Sequence, residues 1–180
     1  MNEILYHTKF LDLKKTISAT GSPWYYAHRP NAENVVVILP IYNDEILFLL
    51  EKRPPVCAEN KGKYAVGTVA GLVGDCRIGE SVEDAISAEL LEEAGLVTDF
   101  VEIKAVNVAS SAGCVSETFI IALANIKDKT PIKKPIDDDG VIVDRIWVKK
   151  SDVRTWLSKM EKEGNVLTSQ VLSALFYIQE

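Results

Sequence analysis

Residues 70 to 96 read AGLVGDCRIGESVEDAISAELLEEAGL, and where the acids fall in this stretch decides how the chain is read. Ser81 predicts a helix N-cap, Asp84 stands where a short capping-box partner would, and Gly95 suits the left-handed position that closes a helix. At about 100° per residue, Glu89 and Glu93 point within roughly 40° of each other and bracket the direction of Val82, with Ile86 close by and Glu92 on one flank. Two carboxylates therefore occupy the stripe that a helix normally turns toward the protein. They are also a like-charged pair four residues apart, at the helix end where the macrodipole is negative, and each effect costs a few tenths of a kcal/mol. A hard divalent ion such as Mg²⁺ or Mn²⁺ reverses that balance, because it takes carboxylate oxygens and completes its shell with water and substrate phosphate. Without such an ion, the acids read simply as a solvated helix end.

The wider pattern favours the first reading. Gly74, five residues, Glu80, seven residues, then Ala88-Glu89-Leu90-Leu91-Glu92-Glu93-Ala94-Gly95-Leu96 resembles the signature box of the Nudix hydrolases, G-x5-E-x7-R-E-U-x-E-E-x-G-U with U aliphatic. Every fixed position matches except the arginine, which is Ala88. In the family that arginine pairs with the box glutamates and orients them, so its replacement bears on catalytic rate more than on fold.

The resemblance extends outward to the branch that hydrolyses ADP-ribose and ADP-sugars. Val35 to Pro40, Leu47 to Pro55 with Arg53-Pro54-Pro55, and Val69-Ala70-Gly71 are similar to that branch's strand ending in R-P-P and its P-A-G turn, with Val69 in place of the proline. Gly71 and Gly74 are separate here, whereas in the branch the turn's glycine usually opens the box. Ser111-Ala112-Gly113 resembles its S-P-G loop, and the likeness runs weakly from Trp24 to Tyr177. The resemblance implies metal ligation by Glu89 and Glu93, Glu92 as a further ligand or base, Glu80 in support, and the Ala70 carbonyl as a backbone ligand. It implies a water-activating acid on a late loop, for which Asp137, Asp138 and Asp139 are the matching cluster, with Glu117 a weaker candidate.

The implied reaction is attack of water on a pyrophosphate linkage, with Mg²⁺ (or Mn²⁺) neutralising the phosphate oxygens and a carboxylate taking the proton. A nucleoside diphosphate derivative, ADP-ribose or an ADP-sugar first, is the expected substrate. Two alternatives stay open: release of pyrophosphate from a nucleoside triphosphate, and a ligand-binding module that has lost efficient turnover at Ala88.

Composition narrows the partners. A net charge of −6 argues against a nucleic-acid backbone, and no apolar run approaches the ~18 residues of a membrane span. Cys57, Cys76 and Cys114 are odd in number and widely spaced, so they read as free thiols in a reducing compartment, the cytoplasm by default. His7 and His28 are too isolated for a histidine metal site.

Turn and strand signals predict a hairpin between Leu11 and Arg29 around Gly21-Ser22-Pro23, with Trp24, Tyr25 and Tyr26 as core, dimer interface or a nucleobase platform. Residues 34–40 (NVVVILP) and 46–50 (ILFLL) predict a buried hairpin broken at Arg53-Pro54-Pro55, and Arg53 is either a solvated strand end or an anion-binding arm. Strands follow at Tyr64–Val69, Asp99–Ala109, Thr118–Ala124 and Val141–Val148. Ser151 predicts the start of a helix closed by Gly164, and a last helix from Thr168 carries Val171, Leu172, Leu175 and Ile178. The expected architecture is an N-terminal β-hairpin, residues 1–33, on an α/β/α sandwich with a mixed sheet, residues 34–180. The resembling branch commonly forms homodimers through its N-terminal strands.

Overall fold

A computed structural model describes residues 2–30, 34–59, 61–74, 79–136 and 141–178. Strands β1 (Glu3–His7), β2 (Asp12–Ile17) and β3 (Pro23–His28) form an antiparallel sheet in that order. The expected hairpin is β2–β3, and β1 extends it through the pairs Tyr6↔Leu13 and His7↔Asp12. Asp12 is 2% exposed, and His7 Nδ1 lies 2.6 Å from its carboxylate, which accounts for a histidine that sequence leaves on the surface.

Strands β4 (Asn34–Tyr42) and β5 (Glu45–Glu51) are joined by a tight turn in which Asn43 takes φ 54°. They pair only at Ile41↔Ile46 and Tyr42↔Glu45. Beyond that the expected hairpin splits. The short helix α1 (Pro54–Ala58) follows β5, its first turn set by the two prolines that break the strand. β6 (Ala65–Gly67) then runs along β5, and β7 (Val69–Val73) along β4, so one segment supplies both inner flanks of the split. Thr68, between the two, closes the mouth by donating its hydroxyl to the Ile38 carbonyl at 2.5 Å.

Helix α2 (Val82–Glu89) continues as a π-turn over Leu90–Ala94. Strands β8 (Thr98–Ala109), β9 (Thr118–Ile126) and β10 (Ile142–Lys149) come next, then a 3₁₀ turn, Lys150–Asp152, helix α3 (Val153–Lys162), β11 (Val166–Leu167) and helix α4 (Ser169–Phe176). Among the described residues the main sheet has eight strands, ordered β11-β6-β5-β4-β9-β8, with β10 on β5 and β7 on β4. The β4–β9 and β11–β6 pairs are parallel and the others antiparallel, so the sheet is mixed.

Strand alternation divides the core into two layers. Val36, Ile38, Leu47 and Leu49 pack with Ala85, Ile86, Leu90 and Ala94 of the α2 segment. Val37, Leu39, Ile46 and Phe48 pack with Val153, Leu157 and Met160 of α3 and Val171 and Ala174 of α4 on the opposite face. This is the expected helix–sheet–helix sandwich. Two local readings change. Ser151 lies inside the 3₁₀ turn, its hydroxyl bonded to Asp152, and α3 begins after Asp152 with no side-chain cap. In α4 the buried stripe runs through Val171 and Ala174, and Leu172 is 50% exposed because it points away from the sheet.

Candidate functional site

Ser81 caps α2 by accepting from the Asp84 N–H, and the helix departs from α geometry where the acids begin. In the π-turn the Leu96 N–H reaches back to the Leu90 carbonyl and the Gly95 N–H to the Leu91 carbonyl. Such insertions are frequently found at functional positions. Gly95 has φ 69°, and a Cβ there would strike the Lys133 carbonyl, so both conformation and space require glycine.

The turn aims Glu89 and Glu93 at β7. The Glu93 Oε2 accepts from the Ala70 N–H at 3.1 Å, and the Glu89 carboxylate lies over Gly71 where a Cβ would overlap it. From β10, Arg145 Nε donates to the Glu93 carbonyl at 2.5 Å and fixes this end of the turn. Burial pushes the Glu93 carboxyl up to about 8; the Ala70 hydrogen bond opposes the rise, Glu89 and Glu51 add to it, and Arg53 opposes it.

Glu51 is the residue that sequence reasoning missed. It closes β5, is 2% exposed, and its carboxylate fills the space beside Gly67 that a Cβ would take. Arg53 Nη2 donates to Glu51 Oε1 at 2.5 Å, so this strand end is ion-paired, with the Arg53 side chain 46% exposed. The signal was present: Leu47, Leu49 and Glu51 alternate onto the face that meets α2.

The other expected site residues spread over distinct positions. Glu80 Oε2 accepts from the Gly74 N–H at 3.2 Å, bracing the loop before α2, while its Oε1 is buried without a partner among the described residues. Glu92 is exposed, and its carbonyl accepts from the Ile136 N–H at 2.8 Å, which lays the segment preceding residue 137 against the π-turn. Asp137, Asp138 and Asp139 lie outside the described residues. Trp24 and Tyr26 sit on one face of β3, turned to the loop after β8; Trp24 Nε1 donates to the Gly113 carbonyl at 2.8 Å. Glu117 is held by Arg29 Nε at 2.6 Å and lines a small cavity with His28 and Asn34. The structure thus groups Glu89, Glu93 and Ala70, adds Glu51 and Arg53, and gives Trp24 a partner in Gly113 and Glu117 a partner in Arg29, with Tyr26 on the face of β3 that carries Trp24.

Chemically, the Glu89–Glu93 wall is a set of hard oxygen donors, which suits a divalent cation. No group of three or more His, Cys, Asp or Glu side chains forms a ready metal cluster among the described residues, since Glu93 is turned onto the Ala70 N–H. Glu89 and Glu93 fit such an ion by donor type and charge, and the Ala70 hydrogen bond is what metal binding would exchange.

The chain matches no protein-family profile and no curated protein. Among solved structures it is similar to the crystal structure of an ADP compounds hydrolase, with a TM-score of 0.73 over 99% of this chain and 90% of that one, at 19% identity. The two chains share one fold. It is the mixed α+β sandwich that the box implies. Among the described residues, no helix is long and apolar enough to cross a membrane.

Proposed function

We propose that this protein is a divalent-metal-dependent hydrolase that splits the pyrophosphate linkage of a nucleoside diphosphate derivative, with ADP-ribose or an ADP-sugar as leading substrates. The observation that carries this reading is the convergence of Glu89 and Glu93 on Ala70 and Gly71 of β7. The fold shared with an ADP compounds hydrolase supports it.

Glu89 and Glu93 would hold Mg²⁺ or Mn²⁺, with the Ala70 carbonyl as a backbone ligand. The bound ion supplies charge neutralisation at phosphate and a lowered pKa for water. Gly71 keeps the backbone close enough for the Glu89 carboxylate to lie against it, and Arg145 holds the Glu93 main chain in place. Glu92, exposed on the same turn, and Asp138 or Asp139, which follow the segment bonded to Glu92, are the candidates for accepting the proton from water. The loop bearing Glu117, braced by Arg29 and by Trp24, would contact the nucleoside side of the substrate. Free thiols at Cys57 and Cys114 suit a reducing, cytoplasmic setting. The apolar outer face of the N-terminal sheet suits a homodimer.

The test is incubation with Mg²⁺ and ADP-ribose, with AMP and a sugar phosphate as expected products. No AMP at any pH up to about 9 sinks the reading, and pyrophosphate from triphosphates would transfer it to the triphosphate class. Ala88 favours a second reading, a ligand-binding module without efficient turnover. Tight binding of ADP-ribose with no product would select it.

A further inference from the structure

The segment between β9 and β10 runs back along the exit of the acidic helix. Its Lys127 N–H donates to the Val97 carbonyl at 3.2 Å, its Ile132 N–H to the Gly95 carbonyl at 2.9 Å, and its Ile136 N–H to the Glu92 carbonyl at 2.8 Å. Arg145 Nε takes the Glu93 carbonyl, so carbonyls that a helix end leaves without intrahelical partners are bonded by donors from outside it. Pro131 and Pro135 stand immediately before two of those donors in the run Pro131-Ile132-Lys133-Lys134-Pro135-Ile136, and their fixed φ stiffens the segment. Pro131 and the Lys133 carbonyl also fill the space beside Gly95 that a side chain would take. Residues 127–136 therefore form a stiff strap bonded to the turn that carries Glu92 and Glu93.

The strap is fastened at Lys129. The Lys129 ammonium lies 2.5 Å from the Glu45 carboxylate, 5.7 Å from the centre of the Tyr42 ring and 5.8 Å from that of Trp147. The two rings meet edge to face, and both pack on the core layer that contains α2. One residue each from β4, β5 and β10 thus holds a single ammonium. A lone exposed ion pair contributes little, but these side chains are only 38% and 23% exposed and the rings attract the same charge. Only Thr130 separates Lys129 from Pro131, so the latch sits close to the first bond on Gly95. Strand β10 reaches the turn twice, directly through Arg145 and by way of Trp147 and the strap.

We infer that Lys129, latched by Glu45, Tyr42 and Trp147, is a positioning residue for the Glu89–Glu93 site, acting through the strap of residues 127–136 on the end of the π-turn. Releasing the latch frees the strap, the Glu92 and Gly95 carbonyls lose their fixed donors, and Glu93 is held less firmly against Ala70. The catalytic consequence rests on the hydrolase reading, whereas the coupling of latch to turn is independent of it.

The test is amide hydrogen exchange followed by NMR on the full-length protein without metal or substrate. In Lys129→Gln the amides of Ile132, Ile136, Gly95 and Leu96 should exchange at least about tenfold faster than in the unmodified protein, while the Ala85 amide, bonded to Ser81 at the start of α2, keeps its rate. Glu45→Gln should act in the same direction from the other side of the latch. Lys129→Arg, which keeps a cation over the rings, should restore the rates. In turnover of ADP-ribose, Lys129→Gln is expected to lose at least about fivefold in kcat with KM within about threefold, and Lys129→Arg to keep most of kcat. Unchanged exchange at Ile132 and Ile136, an equal speeding of the Ala85 amide, or an intact kcat with or without a raised KM would each overturn the inference. The second of these would reduce Lys129 to a contributor to global stability, and a raised KM would make it a substrate contact. Absence of turnover in the unmodified protein defeats the hydrolase reading alone, because the metal-free exchange pattern still decides for or against the coupling of latch to turn.

Discussion

The Glu93 carboxylate accepts a hydrogen bond from the backbone N–H of Ala70 at 3.1 Å, and so ties the end of the acidic helix to the strand beside it. The bond favours a charged Glu93, yet burial outweighs it, with Glu89 and Glu51 acting in the same direction as burial. Glu93→Gln keeps an oxygen that can accept from Ala70 and removes the charge. Mg²⁺-dependent hydrolysis should fall by at least about a hundredfold, the scale of losing one electrostatic contributor to the transition state, with the circular dichroism spectrum unchanged. Full activity in this variant would remove Glu93 from the metal site.

The metal-free protein should lose stability as pH rises. The Glu93 carboxyl is raised from 4.5 to about 8 in the folded chain, so between these values the folded state holds a proton that the unfolded state has released. Its contribution is complete below about pH 4.5 and is lost as pH climbs through about 8, by up to about 5 kcal/mol at one shift unit per 1.36 kcal/mol. Urea unfolding in EDTA at pH 4.5 and pH 9 spans that window, and Glu93→Gln should flatten the dependence. A stability profile in the unmodified protein that is level or rising over this window contradicts the assignment.

Gly71→Ala tests the close approach of β7 to Glu89. The added Cβ would overlap the Glu89 carboxylate, and the β7 backbone is pinned to β4 by the pairs Val36↔Gly71 and Val37↔Ala70. Glu89 must therefore turn away, at a cost of roughly 1–3 kcal/mol in stability. Activity should drop at least tenfold, while Gly74→Ala, where a Cβ meets nothing within 4 Å, gives a comparison strained only by its φ of 90°. Equal activity in Gly71→Ala and the unmodified protein would mean that Glu89 does not work from its present position.

Much of this site was legible because helix period and cap residues are local. Ser81, the acids and Gly95 fixed where α2 begins, which face it turns inward and where the π-turn that continues it ends. The split of β4 from β5 was not legible, since two apolar runs joined by a turn read as a hairpin and only the competition from β6 and β7 opens them. Glu51 was passed over because a charge at a strand end is usually solvated, and its burial depends on the glycine at 67, sixteen residues away. Arg145 was hidden for a like reason: it sits in an alternating strand whose neighbour, β5, is known only from the folded pairing. β1 carries a register shift between Ile4 and Tyr6, which blurs the alternation that would have announced it.

The N-terminal sheet has two unlike faces, and the difference predicts an assembly. Trp24, Tyr26 and His28 alternate onto the face that meets residues 113–117, where Trp24 bonds Gly113 and His28 shares a hydrogen bond with Ser116. Tyr6, Leu13, Ile17 and Tyr25 fall on the other face through the pairings Tyr6↔Leu13 and Lys15↔Tyr25, and they are 67%, 43%, 53% and 54% exposed. The Lys15–Glu3 ion pair lies among them, and apolar side chains grouped on one exposed face of a small sheet mark an interaction site more often than a free exterior. Light scattering on the purified protein should give the mass of a homodimer, and Leu13→Glu with Ile17→Glu should yield a folded monomer, because two charges on each copy would be buried against each other. A monomeric unmodified protein, or a dimer indifferent to both charges, would show that this face does not join two copies.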